Sequence, residues 1–294
     1  MELNGAVILD TFAEAFPIWI SRIIITADSP EWAYAAAAEA TGFATSKIFC
    51  PCEAGIEREW RVTPDGRPGV SVLICGEKKQ MRSLIADRIS QCILPTPTAS
   101  AFNGLHDARD RFYTRMHYFG DGYEERCIVG GRDCWRIPVM EGYYTGEERY
   151  GTVKGIAGGN FLVMAEESRD ALAAAKAGVA AITPLEGVIT GFAGGVVGSG
   201  SKVGCKNYLF PMPASTNHRW CPALKEKISD SLVPDGVNSI YEVVINGISE
   251  AAIISAMKAG VEAATRQGKL LFIGASNFEG RLGPHQFHLH DLFK

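Results

Sequence analysis

Four times along the chain an extended, apolar run leads into a capped helix and out into a second extended run. Pro17–Ala27 (PIWISRIIITA) is rich in β-branched residues and reads as a strand. Ser29-Pro30-Glu31 then opens a helix, with Ser as N-cap, Pro in the first helical position and Glu in the first turn, and an alanine-rich stretch carries it to Gly42. Ser46–Cys50 is expected to be the returning strand, and Cys52–Trp60 a short charged connection. A second unit has a strand at Val70–Cys75, a helix near Glu77–Gln91 and an extended segment at Ala99–Asn103. The third enters through GIAGGNFLVMA and continues into a helix from Ser168. The fourth has a strand at Ser239–Asn246, a helix at Ser249–Thr265 with Ser as cap, and a strand at Leu270–Gly274. Paired in twos, these units predict an α+β chain of two ferredoxin-like lobes, each β-α-β-β-α-β with two helices on one face of a sheet. The expected division is 1–148 and 149–294.

Between the lobes, residues 107–148 change in texture, with Tyr, Arg, Gly and Asp dominating and turns at Gly120-Asp121-Gly122 and Gly130-Gly131. This reads as an inserted hairpin or arm whose aromatic side chains suit oligomer contacts. A sheet with helices on one face leaves the other free to pack, so an oligomer is expected.

Thr183–Gly204 holds seven glycines and only two charged side chains, Glu186 and Lys202. Glycine at that density marks backbone that bends sharply or lies too close to something for side chains. The valines, Ile189 and Phe192 between them argue for a folded, half-buried segment, here read as a lobe boundary or ligand cleft. It lacks the GKS or GKT of a phosphate loop and the strand–GxGxxG–helix context of a dinucleotide site.

The 294 residues are 47% hydrophobic and 21% charged, with net charge -4, so a large core is expected and no nucleic-acid partner. No apolar run reaches the roughly 18 residues of a membrane span, and MELNGAVILD lacks the basic region of a signal peptide, which points to a cytoplasmic protein. The eight cysteines form no CxxC pair. Most of them read as buried small hydrophobes, and no metal site is expected, the His285, His288 and His290 tail reading as surface histidines.

Several longer stretches resemble a known family. TFAEAFPI (Thr11–Ile18), EATGFATS (Glu39–Ser46), CEAGIER (Cys52–Arg58), PDGRPGV (Pro64–Val70) and FNGL (Phe102–Leu105) are similar to the N-terminal lobe of formylmethanofuran:tetrahydromethanopterin formyltransferases. GIAGGNF (Gly155–Phe161), GSGSKVG (Gly198–Gly204), YEVVING (Tyr241–Gly247) and MKAGVEAA (Met257–Ala264) are similar to the second lobe. The resemblance implies transfer of a formyl group between methanofuran and N5 of tetrahydromethanopterin, without a metal. It also implies a homotetramer of two-lobed subunits or, in bacterial relatives, a subunit of a formyltransferase/hydrolase complex that releases formate. The modest net charge leans toward the bacterial branch or an archaeon of low internal salt. A non-catalytic binding or scaffold oligomer is the rival class, because fold alone does not fix function.

Formyl transfer between nitrogens passes through a tetrahedral carbon with a developing oxyanion and needs a proton for the leaving nitrogen. Glu242, flanked by apolar residues in its strand, is the first candidate for the acid; a solvent-facing strand glutamate is the alternative. Glu53, Glu57 and, from TFAEAF, Glu14 rank behind it. Arg58 and Arg67 are candidate forks for substrate carboxylates, or surface ion pairs. Asn103 and Asn160, and the backbone N–H groups of Gly158, Gly159, Gly198, Ser199, Gly200 and Ser201, are candidate donors to the oxyanion. Lys202 suits a phosphate or carboxylate.

Overall fold

The computed structural model describes all residues from Met1 to Lys294. They form a mixed α+β structure that divides into two compact units, Ile18–Gly155 and Met1–Pro17 with Ile156–Lys294. The chain passes between them within two strands, Phe12–Thr26 and Arg149–Ala165.

In the unit Ile18–Gly155 the strand order is Glu53–Trp60, Gly69–Gly76, residues 18–26, Ser100–Asn103, Gly142–Gly146, Arg132–Val139 and Glu125–Val129. Only the Ser100–Asn103 to Gly142–Gly146 contact is parallel. Alternation sorts the central strand: Ile23 and Ile25 join the alanines of the helix Pro30–Thr41 and Leu84 and Ile85 of the helix Met81–Arg88, while Ile24 points to the opposite face with Phe102 and Cys134. The helix start is as expected, the Ser29 hydroxyl accepting from the Trp32 N–H at 3.4 Å. The second helix ends in a wider π turn at Ile89–Ile93. The arm is a hairpin turning at Gly130-Gly131, with Gly142–Gly146 as a third strand.

Two expectations fail here. Ser46–Cys50 is a turn, closed by the Cys50 N–H on the Ser46 carbonyl at 2.8 Å, and the returning strand is Glu53–Trp60. The strand was hidden because it carries buried charge: Glu57 is 1% exposed.

The second unit has the strand order Glu2–Leu3, Ala6–Ile8, Leu270–Gly274, residues 156–165, Ser239–Gly247 and Val188–Ile189. The helices Ser168–Ile182 and Glu250–Thr265 cover one face, where Phe161, Val163, Val243 and Ile245 meet Ala171, Ala174, Ile253 and Met257. The helices approach closely at two glycines: a Cβ on Gly178 would sit 3.1 Å from the Gly260 carbonyl oxygen. The other face carries Leu162, Met164 and Ile240, packed against Trp220 and Val233 from the loop-rich connection 206–235 and against Val237 just beyond it. That connection holds the short strand Ala214–Ser215 and the 3₁₀ turns His218–Trp220 and Pro222–Lys227.

Candidate active site

Glu242 lies in the strand Ser239–Gly247, opposite Leu162, with its side chain on the face away from the helices. On an open sheet that position would be wet. Here the glycine-rich segment runs alongside as an extra bridge, Val197 pairing with Glu242 through two backbone hydrogen bonds of 2.8 and 3.0 Å. Together with the 3₁₀ turns at Trp220–Ala223 it encloses a cavity of about 260 Å³ lined by Gly198, Ser199, Gly200, Asn217, Trp220 and Ser276 around the carboxyl group. The carboxyl has no hydrogen-bond partner in the protein, and desolvation by its surroundings pushes its pKa from 4.5 up to about 7. A half-buried acid of that kind carries its proton near neutrality and can release it into the cavity.

A second cavity, of about 410 Å³, shares Asn217 and Trp220 with the first. Its walls bring four cations, Lys202, Lys206, Arg219 and Arg281, against Asp230 and Glu279. Lys202 Nζ is 2.6 Å from His218 Nδ1, so the ammonium donates to that nitrogen, and the other ring nitrogen lies 3.4 Å from Asp230. A cationic basin therefore adjoins the cavity that holds the acid.

One wall of this basin is the loop Asn277–Arg281, and Glu14 holds that loop in place. Its carboxylate, 2% exposed, accepts from the backbone N–H groups of Phe278 (2.7 Å), Gly280 (3.1 Å), Gly283 (2.9 Å) and Leu282. Burial raises its pKa, but these four donors outweigh burial and hold it below the usual value. Glu14 is thus committed to the loop and has no free lone pair pattern for an acid.

The other carbonyl and amide donors named from sequence are also committed. Asn160 Nδ2 donates to the carbonyls of Gly158 (3.1 Å) and Ser276 (3.0 Å), and its Oδ1 accepts from the Ser276 N–H at 2.7 Å. The Gly158 N–H donates to Asn246 Oδ1 at 3.1 Å. Gly158 sits at a bulge with φ +100°, a conformation that favours glycine, and a Cβ on Gly159 would lie 2.6 Å from Ile253 Cγ2. These glycines serve the strand and its packing. Gly198, Ser199 and Gly200 do line the acid's cavity, whereas Ser201 is exposed and lines neither.

Glu53, Glu57, Arg58, Arg67 and Asn103 belong to the other unit. Glu57 is the acceptor of a buried fork from Arg22, Nε at 2.7 Å, and of the Ser71 hydroxyl at 2.7 Å. Glu53 accepts from the Lys47 N–H at 3.1 Å. Arg58 stacks over Trp60 at 4.5 Å. Arg67 clips a loop together, reaching Asp65 (2.9 Å), Asp28 (3.0 Å), the Thr98 carbonyl (2.6 Å) and Ser100 (2.8 Å). Asn103 Oδ1 accepts from the Leu105 and Gly151 N–H groups at 2.9 and 3.1 Å. All five have structural partners in their own unit.

Sequence reasoning missed Ser276, Asn217 and Trp220. Asn217 and Trp220 lie in the stretch NHRWCP, the one available signal for them, and Ser276 sits in a loop that carries none.

The whole chain matches known proteins. Residues 1–139 match the family described as formylmethanofuran-tetrahydromethanopterin formyltransferase, and residues 142–292 match the proximal lobe of that enzyme. The chain belongs to this formyltransferase family. It is 50% identical over 298 residues to the formylmethanofuran–tetrahydromethanopterin formyltransferase of Methanosarcina acetivorans, covering 100% of both chains. The solved formyltransferase of Methanosarcina barkeri superposes with a TM-score of 0.96 at 48% identity, covering 100% of both chains. A chain of the formyltransferase/hydrolase complex of Methylorubrum extorquens, solved with methylofuran, superposes with a TM-score of 0.94 at 39% identity, covering 100% of this chain and 99% of that one. Identity is therefore higher to the archaeal enzymes than to the bacterial complex. No helix is long and apolar enough to cross a membrane.

Proposed function

We infer that this chain is a formyltransferase that moves a formyl group reversibly between methanofuran and N5 of tetrahydromethanopterin. The observation that carries the reading is the lone carboxyl of Glu242, raised to about 7 inside a cavity walled by the glycine loop and Trp220. Attack by the accepting amine on the formyl carbon forms the new C–N bond and moves the carbonyl pair onto oxygen. Collapse of that intermediate breaks the bond to the donor nitrogen, which leaves as an amine only if it is protonated. Glu242 supplies this proton, and the proton shed by the accepting nitrogen restores it. Because the group is neutral before the step and unpaired by any cation, its proton is available at neutral pH.

The neighbouring basin supports the substrate class. Both coenzymes carry anionic groups on an apolar ring system, and Lys202, Lys206, Arg219 and Arg281 provide counter-charges beside an apolar, aromatic-walled cavity. Gly198, Ser199 and Gly200 let the reacting end lie close to backbone.

The same reading divides the chain near residue 149 into two ferredoxin-like lobes. What supports it is the strand order second, third, first, fourth within each compact unit, with two helices packed on one face. The segment 107–148 is then an arm on the first lobe. Its exposed Tyr113, Tyr118, Phe119, Tyr123 and Tyr143 favour a homo-oligomer, a tetramer by family resemblance, or packing within a formyltransferase/hydrolase assembly. We place the enzyme in the cytoplasm.

The direct test is formyl transfer by the purified chain from formylmethanofuran to tetrahydromethanopterin. Transfer by the chain alone supports a self-sufficient transferase. Tight binding of both coenzymes without transfer supports the binding-module class instead.

A further inference from the structure

We propose that the Ser276 hydroxyl is a catalytic donor that stabilises the negative charge on the formyl oxygen, and that Asn160 is the positioning residue that aims it. The proposal rests on the reading of the Glu242 cavity as the formyl-transfer site.

Oxyanion chemistry needs a fixed donor in a place that water does not reach. The donors named from sequence do not meet that need: both ends of the Asn160 amide and the Gly158 N–H already have protein partners. Gly198 and Ser199 line the cavity but are themselves exposed. Ser276 differs from all of these, being 7% exposed and lining the same cavity as Glu242.

Its geometry is set from three sides. Ser276 follows the strand Leu270–Gly274, where the ladder to residues 162–165 has ended. Asn160 continues that ladder with its side chain, accepting from the Ser276 N–H at 2.7 Å and donating to its carbonyl at 3.0 Å. Both backbone groups of Ser276 are therefore pinned by one amide. The hydroxyl oxygen in turn accepts from Asn217 Nδ2 at 3.4 Å. No protein group accepts the hydroxyl proton, so it is available to a ligand oxygen in the cavity that Ser276 lines.

In the transfer step the accepting amine forms its bond to the formyl carbon, and the carbonyl pair moves to oxygen and meets the Ser276 O–H. When the pair returns, the bond to the donor nitrogen breaks and takes the Glu242 proton. Ser276 forms and breaks no covalent bond.

The test is the full-length Ser276→Ala enzyme, assayed with both coenzymes beside the wild type. Loss of one oxyanion donor predicts a fall of about 100-fold in kcat. KM for each substrate is expected to stay within about threefold, and the kcat/KM pH profile to keep the wild-type inflection, because Glu242 is untouched. Asn160→Ala is expected to lower kcat in the same direction, and the double variant to be no slower than Ser276→Ala, as two members of one unit behave. Should the alanine enzyme unfold, Ser276→Cys keeps the volume with a weaker donor and is expected to show an intermediate kcat. A kcat for Ser276→Ala within about threefold of the wild type overturns the proposal and leaves the formyltransferase reading intact. A formyl group found covalently on Ser276 after incubation with formyl donor alone overturns it in favour of a nucleophile. A wild-type chain that transfers nothing overturns the reading of the site itself.

Discussion

Val197 and Glu242 exchange both backbone hydrogen bonds, Val197 N–H to Glu242 O at 2.8 Å and Glu242 N–H to Val197 O at 3.0 Å. This single bridge sets the glycine-rich segment edge-on beside the strand Ser239–Gly247, next to the acid. It converts a strand carboxylate that alternation would expose into one that desolvation raises to about 7. The glycine stretch and the acid are two halves of one feature.

A stability signature follows from that desolvation. The folded pKa of Glu242 lies above its unfolded value of 4.5, so the native state holds the extra proton between 4.5 and about 7. Stability is full below the unfolded value and declines as pH rises through the folded one. Glu242→Gln removes the cost of burying the ionised form and is expected to stabilise the protein above pH 7 by up to about 3 kcal/mol, with little effect near pH 4. Thermal or denaturant midpoints of both proteins across that range check the sign.

Glu14 has the opposite sign. Its folded pKa is held below the unfolded 4.5, so its contribution is present above 4.5 and is lost as pH falls through the lower folded value. Glu14→Gln is expected to flatten the acid side of the stability curve. Glu14→Ala, which strands four backbone donors of the loop 278–283, is expected to cost about 4 kcal/mol in urea unfolding.

In the first unit the buried fork between Arg22 and Glu57 gives a third prediction. Their side chains are 6% and 0% exposed, so Glu57→Ala leaves a buried guanidinium without its carboxylate. A loss of about 3–5 kcal/mol is expected, with kcat per folded molecule unchanged. A large fall in kcat at intact stability would return Glu57 to the list of proton donors.

Lys202 tests the cationic basin. Lys202→Ala is expected to raise KM for the more anionic coenzyme about tenfold at low salt, with kcat altered much less. Added salt is expected to narrow the difference, because screening weakens the wild-type attraction. Steady-state kinetics at two ionic strengths provide the check.

Much of this fold is written in local signals. The caps at Ser29 and Ser249, whose hydroxyls accept from Trp32 and Ala252, and the apolar runs at Val70–Cys75 and Ser239–Asn246 mark their elements directly. The strand Glu53–Trp60 was illegible because Glu57 and its partner Arg22 are 35 residues apart in sequence, so buried charge looks like a solvated loop. In the site, Glu242 was legible from its apolar neighbours, and Lys202 and the Gly198–Gly200 loop from composition. Ser276, Asn217 and Trp220 were not, since only tertiary packing of the 206–235 connection brings them beside the acid. The committed roles of Asn103, Asn160 and Arg67 were hidden likewise, because each depends on partners distant in sequence.

If Glu242 donates the proton in formyl transfer, kcat/KM against pH, which reports the free enzyme, separates the wild type from Glu242→Gln. The predicted wild-type profile falls as pH rises through about 7, where the carboxyl loses its proton, and the variant lies at least about 100-fold lower with that inflection gone. A folded Glu242→Gln enzyme that keeps the wild-type rate and the wild-type inflection would contradict that role and move the proton donor to another group.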